Sequence, residues 1–153
     1  MKPTPAGWPR LSSSIYYDDA SAAIDFLCRA FGFAVRLRIE RDDGRIEHSE
    51  LTYGDALVMV GQAGGRTDRA VLLPGASPRS CGGRNTQSLC LFVDDADAHC
   101  AQALAAGATL FEAPTTHDYG ADYWTDRSYG VLDPEGHLWW FMQRLRPSTP
   151  RAD

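Results

Sequence analysis

His48 and Glu50 lie two residues apart in Ile46–Tyr53, a run that alternates like a β-strand. At that spacing both side chains emerge on one face, about 7 Å apart. A carboxylate and an imidazole on one cavity wall can move protons, the general acid–base chemistry of lyases and isomerases. The same pair also suits a half-exposed strand that simply meets water, and the sequence leaves both readings open. The second chemistry-bearing group is aromatic: Tyr119, Tyr123, Trp124, Tyr129, Trp139 and Trp140 fall in the last third of the chain. Flat apolar rings suit a planar guest. Arg127 stands among them as a partner for an anionic group or as half of a structural salt bridge.

The remaining histidines add little. His99 falls on an expected helix and should be exposed. His137 follows a turn and should bond locally, and His117 sits beside Asp118 in an expected loop. A metal at His48 and Glu50 would need a third ligand, for which His117 is the candidate. Histidines more often serve as surface or structural groups, so no metal and no cofactor are expected.

These residues must be positioned by a small protein. At 153 residues one domain is expected, with about 68–70% of the unfolded surface buried on folding. The formal net charge of −5 repels phosphate backbones, so nucleic acid is not an expected partner. No basic amphipathic stretch points to a membrane surface, and no apolar run approaches the roughly 20 residues that span a bilayer. The segment MKPTPAGWPR lacks the apolar core of a secretory signal. Cys28, Cys81, Cys90 and Cys100 show no CxxC spacing. They read as reduced thiols of a cytoplasmic protein, with Cys81, in a Gly-rich loop, the one expected to react easily.

Punctuation divides the chain. Residues 1–10 are Pro-rich and 144–153 read as a second tail. Residues 62–86 carry Gly64, Gly65, Pro74, Gly75, Pro78, Gly82 and Gly83, a linker with at most a short strand near Ala70–Leu73. Two blocks remain inside a domain of 11–143, about 11–61 and 87–143. YYDDASAAIDFLCRAFGF in the first is echoed by FVDDADAHCAQALAAGAT in the second. In each, a strand meets an Asp-Asp pair able to cap a helix, and Gly32 or Gly107 ends that helix. Ala23, Phe26, Leu27 and Ala30 form one apolar stripe; Ala101, Leu104 and Ala105 are read as its counterpart. Three strands follow each helix. They are Val35–Arg41, Ile46–Tyr53 and Ala56–Val60 in the first block. In the second they are Thr109–Glu112, Arg127–Leu132 and Leu138–Gln143, with a long loop at 113–124. The order is βαβββ twice, an internal duplication.

Residues Asp19 to Phe26 before Phe31-Gly32, then FVDDADA, then DRSYGVLDPEGHLWWF, in this order and spacing, resemble the vicinal oxygen chelate superfamily. Its members include glyoxalases, bleomycin-resistance proteins and extradiol dioxygenases. GRIEHSELTYGDALVMV is similar to the middle hairpin of the glyoxalase-like branch. The resemblance implies an α+β fold: two βαβββ modules forming a curved, partly open barrel-like sheet, with helices on the convex side and the site on the concave side.

Strand alternation then assigns faces. Ser12, Ser14 and Tyr16 point inward from the first strand. Ser88, Cys90 and Phe92 do so from the fifth, and Leu138, Trp140 and Met142 from the last. His48, Glu50 and Thr52 share the cavity face of the third strand. The resemblance implies metal ligands at Ser12 or Ser14, at Val58 or Met59, at Ser88 and at Trp140. None of these suits a hard or borderline divalent ion. The expected function is therefore metal-free binding of a small, largely apolar or aromatic molecule. Its expected walls are Trp140, Tyr16, Ser88, Phe92, Trp124, Tyr123, Arg127, Tyr129 and Met142. The competing expectation is a glyoxalase-like lyase or isomerase that uses His48 and Glu50 or an unrecognised divalent metal. A homodimer is expected, as is common in this superfamily.

Overall fold

A computed structural model of the chain describes residues 1–64 and 75–148. The strand expected near Ala70–Leu73 lies outside the described residues. The chain forms two compact units, Met1–Arg84 and Asn85–Asp153.

The first unit runs β1 (Ser13–Tyr17), α1 (Ala20–Phe31), β2 (Ala34–Glu40), β3 (Ile46–Tyr53) and β4 (Ala56–Gln62). The second runs β5 (Leu89–Phe92), α2 (Ala96–Ala105), β6 (Thr109–Asp118), β7 (Thr125–Leu132) and β8 (Leu138–Arg146). Each unit is one mixed four-stranded sheet, ordered β1-β4-β3-β2 and β5-β8-β7-β6. In each, the first strand pairs parallel with the last, and the other neighbours are antiparallel. This is an α+β fold of two βαβββ modules.

The Asp-Asp pairs act through their second member. Asp19 accepts from the Ala22 backbone N–H and Asp95 from that of Ala98, each 3 residues on, which satisfies an orphan donor of the helix. Gly32, at φ +76°, takes the left-handed conformation that closes α1.

Each helix covers one face of its own sheet. Ala23, Ile24, Phe26, Leu27, Ala30 and Phe31 of α1 are buried, with Ile15, Tyr17, Leu51 and Val60 from the strands. In the second unit the expected stripe is displaced. Ala96, Cys100 and Ala103 are buried, while Leu104 is exposed. The cause is His99, which turns its Nδ1 to the Tyr129 hydroxyl and packs its ring 4.4 Å from that of Phe141. The small residues of α2 leave room for Trp139, Tyr129 and Phe141, all buried completely. Trp139 donates its indole N–H to Asp133 Oδ2 at 3.1 Å, and Asp133 Oδ1 accepts from the backbone N–H groups of Glu135 and His137. One buried carboxylate thus ties the turn at Asp133–Gly136 to the core.

Two lengths differ from expectation. The loop at 113–124 shrinks to 119–124, because β6 continues through Asp118. A register shift between Glu112 and Thr115 absorbs Pro114, and pairing resumes from Thr115↔Ser128 to Asp118↔Thr125. β8 runs past Gln143 to Arg146, into the expected tail.

Candidate functional site

In the second unit, the sheet face away from α2 carries the aromatic cluster. Trp139 and Phe141 are buried beneath the helix, which sends Trp140 and Met142 to the other side. Registers complete two rows across this open face: Cys90–Trp140–Gly130 and Phe92–Met142–Ser128. The Trp140 ring meets that of Phe111 edge-on, with centroids 5.9 Å apart. A β-carbon at position 130 would stand 3.1 Å from Trp140 and 3.2 Å from Phe111, so Gly130 makes the seat for both rings. Phe92 and Phe111 remain more than half exposed, at 53% and 57%. Phe111 escaped sequence analysis because the β6 register shift that brings it to this face leaves no simple alternation to read.

One end of the face is polar. Asp126, buried, pairs with Arg144 through both carboxylate oxygens. The Arg144 guanidinium lies 5.2 Å from the Phe92 ring centroid and 5.2 Å from that of Trp124. Sequence analysis missed Arg144 by placing it beyond the last strand. Desolvation and, after it, the Asp126 carboxylate push the Cys90 thiol above its ordinary value.

The 119–124 hairpin is pinned. Arg146 donates to the carbonyls of Gly120, Ala121 and Tyr123 and to the Asp118 carboxylate. The Gly120 backbone N–H, followed by Arg146, holds Asp118 below the usual carboxylate range. Tyr119 and Tyr123 both pack against Trp124, with centroids 5.4 and 6.1 Å away.

Arg127 and Tyr129 do not line this face. Arg127 grips Asp97 of α2 with two hydrogen bonds of 2.6 and 2.7 Å, which lower the Asp97 carboxyl. Tyr129 is fully buried, stacked on Phe141. Both follow from β7 alternation: Asp126, Ser128 and Gly130 take the open face, so 127 and 129 turn to the helix. Ser88 is exposed just ahead of β5. His99 is half-buried rather than exposed.

The first unit holds the polar pair. His48 Nε2 lies 3.0 Å from Glu50 Oε1, and Arg36 Nε lies 3.3 Å from Oε2. The Glu50 side chain is 9% exposed against 38% for His48, so the carboxylate is fixed and the imidazole reachable. Arg36 also reaches the N-terminal segment: it donates to the Gly7 carbonyl and its guanidinium lies 5.4 Å from the Trp8 ring centroid. Tyr16 is on the face away from α1 and exposed, with the backbone at Gly61 and Gly75 close against one part of its ring. A β-carbon at Gly61 would meet it at 3.2 Å, and one at Gly75 would overlap it.

The positions where the resemblance implies metal ligands carry side chains of another kind. Ser14 and Met59 pair across β1 and β4, and Trp140 stands on β8. Two serines, a thioether and an indole do not fit a divalent ion of the kind carboxylates and imidazoles bind. His117 belongs to the second unit, with Glu112 as its neighbour at 3.8 Å. Among the described residues no group of three or more His, Cys, Asp or Glu is placed to hold a metal ion.

The duplicated modules and the aromatic open face define a recognisable class. Residues 11–141 match the family model of the Glyoxalase/Bleomycin resistance protein/Dioxygenase superfamily, and the chain belongs to that superfamily. It is 35% identical over 140 residues to the uncharacterized protein Mb0911c of Mycobacterium bovis, covering 90% of this chain and 85% of that one. Among solved structures it is similar to TioX from Micromonospora sp. ML1, at 31% identity and a TM-score of 0.67, over 90% of this chain and 99% of that one. TnmS3 from Streptomyces sp. CB03234, an antibiotic binding protein, shares the fold at 21% identity and a TM-score of 0.60, over 87% of this chain and 93% of that one. Among the described residues no helix is long and apolar enough to cross a membrane.

Proposed function

We propose that this protein binds a small, largely apolar aromatic molecule, without a bound metal, on the open face of the second unit. The observation that carries this reading is the Trp140 ring seated over Gly130, with Phe111 edge-on beside it and Phe92 and Met142 in the next row. A stacked ring contributes about 0.5–1.5 kcal/mol beyond area burial, so most affinity comes from desolvating the guest against several walls. TnmS3 puts the same fold to antibiotic binding. Tyr123 and Trp124 border the site from the hairpin.

The test is tryptophan emission in a screen of planar aromatic compounds. A ligand that quenches emission should bind roughly tenfold more weakly to Trp140→Ala, and be little affected by Trp8→Ala in the other unit. Equal affinity for Trp140→Ala and the unaltered protein would refute the site.

A second reading rests on His48 and Glu50. A carboxylate held by Arg36 that in turn orients an imidazole is the geometry of a general base. It requires that His48→Gln abolish any isomerase or lyase turnover found with small carbonyl substrates, with ligand binding at Trp140 retained. We also propose that the protein works as a homodimer in the cytoplasm. Val35, Leu37 and Ile39 on the edge strand β2 are exposed apolar side chains suited to burial by a second copy. All four cysteines are unpaired, as a reducing compartment requires.

A further inference from the structure

We infer that the aromatic ligand carries a neutral carbonyl oxygen, which Arg144 reads. This deepens the proposed function and rests on it. Arg144 lies on β8 two and four residues beyond Met142 and Trp140, on the same face. Asp126 engages its Nε and Nη2, and among the described residues Nη1 has no hydrogen-bond partner. Phe92 and Trp124 each contact the guanidinium, which holds it in place without using its donors. The two N–H groups of Nη1 are therefore available at the end of the aromatic row, where a fused-ring framework laid over Met142 would reach them.

The electrostatics select the acceptor. Arg144 and Asp126 together are neutral, and the Asp126 carboxylate is almost wholly buried, with a side-chain exposure of 4%. A carboxylate on the ligand would bring a second negative charge beside a carboxylate already poorly screened, at a protein of net charge −5. A carbonyl oxygen accepts the same hydrogen bond without that repulsion. An aromatic hydrocarbon without an acceptor leaves Nη1 desolvated and unpaired.

Three tricyclic probes of one shape separate these cases: fluorenone, fluorene and fluorene-2-carboxylate, each titrated against tryptophan emission. The expected order is fluorenone tightest, by about tenfold over fluorene, with the carboxylate weaker than fluorenone. Arg144→Lys keeps the charge opposite Asp126 but loses Nη1 and the flat guanidinium. It should bring the fluorenone-to-fluorene ratio close to 1, a change in ratio that a general loss of folding would not produce. Equal binding of fluorenone and fluorene by the unaltered protein, with both still weakened by Trp140→Ala, would overturn the Arg144 inference and leave the aromatic site standing. Tightest binding of the carboxylate, or an unchanged ratio in Arg144→Lys, would overturn it as well. Binding of none of the three would overturn the inference and the proposed function together.

Discussion

The Trp140 indole lies across Gly130, its ring atoms where a side chain at 130 would have to pass. The paired strands put these residues directly opposite each other, and only the missing β-carbon lets the ring lie down on the sheet. Gly130 is not at positive φ, so its role is space rather than backbone freedom. Gly130→Ala should push Trp140 and Phe111 off their seats. The expected cost is about 1–3 kcal/mol of stability, the range for overpacking. Urea unfolding measures that loss, and ligand titration should show weaker binding beyond it. A variant with unchanged stability and affinity would show that the ring has free room to move.

Cys90 neighbours Trp140 across β5 and β8, which makes its thiol a reporter for the site. Burial and Asp126 raise it, so less thiolate is present at neutral pH than at a free cysteine. Cys81 is exposed at the end of a short 3-10 turn. Iodoacetamide should modify Cys81 first and Cys90 more slowly. A ligand on the open face should slow Cys90 further and leave Cys81 alone, as peptide mass mapping would record. Protection of both thiols equally would place the ligand elsewhere.

The hairpin 119–124 should loosen in acid. Asp118 has a folded-state value below that of a free carboxyl, about 3.9. Its contribution is therefore complete above that value and is lost as pH falls through the lowered folded one. NMR spectra of the Gly120 amide should shift in that window, below pH 4. Arg146→Ala, which removes the donors to three hairpin carbonyls, should produce the loosened hairpin already at neutral pH. An Asp118 carboxyl that titrates at the free value would contradict this account.

The element order was readable because its signals are local. The Asp-Asp caps, Gly32 and the turns after Arg41 and Tyr53 each specify backbone within a few residues, and the duplication repeats them. Faces on β1, β5 and β8 were readable for a related reason: these strands carry no bulge through stretches such as Leu-Trp-Trp-Phe-Met, so one up-and-down order of side chains holds along them. What failed depended on distant partners. The α2 stripe looked apolar through Leu104, yet the pairing of His99 with Tyr129 rotated a different set inward. Pro114 looked like a loop, yet a register shift carried β6 past it and turned Phe111 to the open face. Arg144 and Arg146 looked like tail, and their partners Asp126 and Asp118 lie 18 and 28 residues away in sequence.

The last prediction concerns Arg36, which joins the polar pair to the N-terminal segment. Its Nε pairs with Glu50, its Nη1 donates to the Gly7 carbonyl, and its guanidinium packs on Trp8. Glu50 is nearly buried, so removing Arg36 leaves a carboxylate whose remaining close partner is His48. A nearly buried carboxylate that loses its guanidinium keeps the cost of leaving water with less to offset it. Arg36→Met should therefore cost about 1–3 kcal/mol of stability, the range for a buried acceptor that loses a partner, as read from urea unfolding. It should also release residues 1–10, which limited proteolysis would detect. Arg36→Lys should keep more of that stability than of the hold on residues 1–10. The ammonium still opposes Glu50 as a charge, but it cannot pair with Glu50, bond Gly7 and stack on Trp8 together. If all three proteins unfold at the same urea concentration, Arg36 does not stabilise the Glu50 carboxylate, and its role is confined to holding the N-terminal segment.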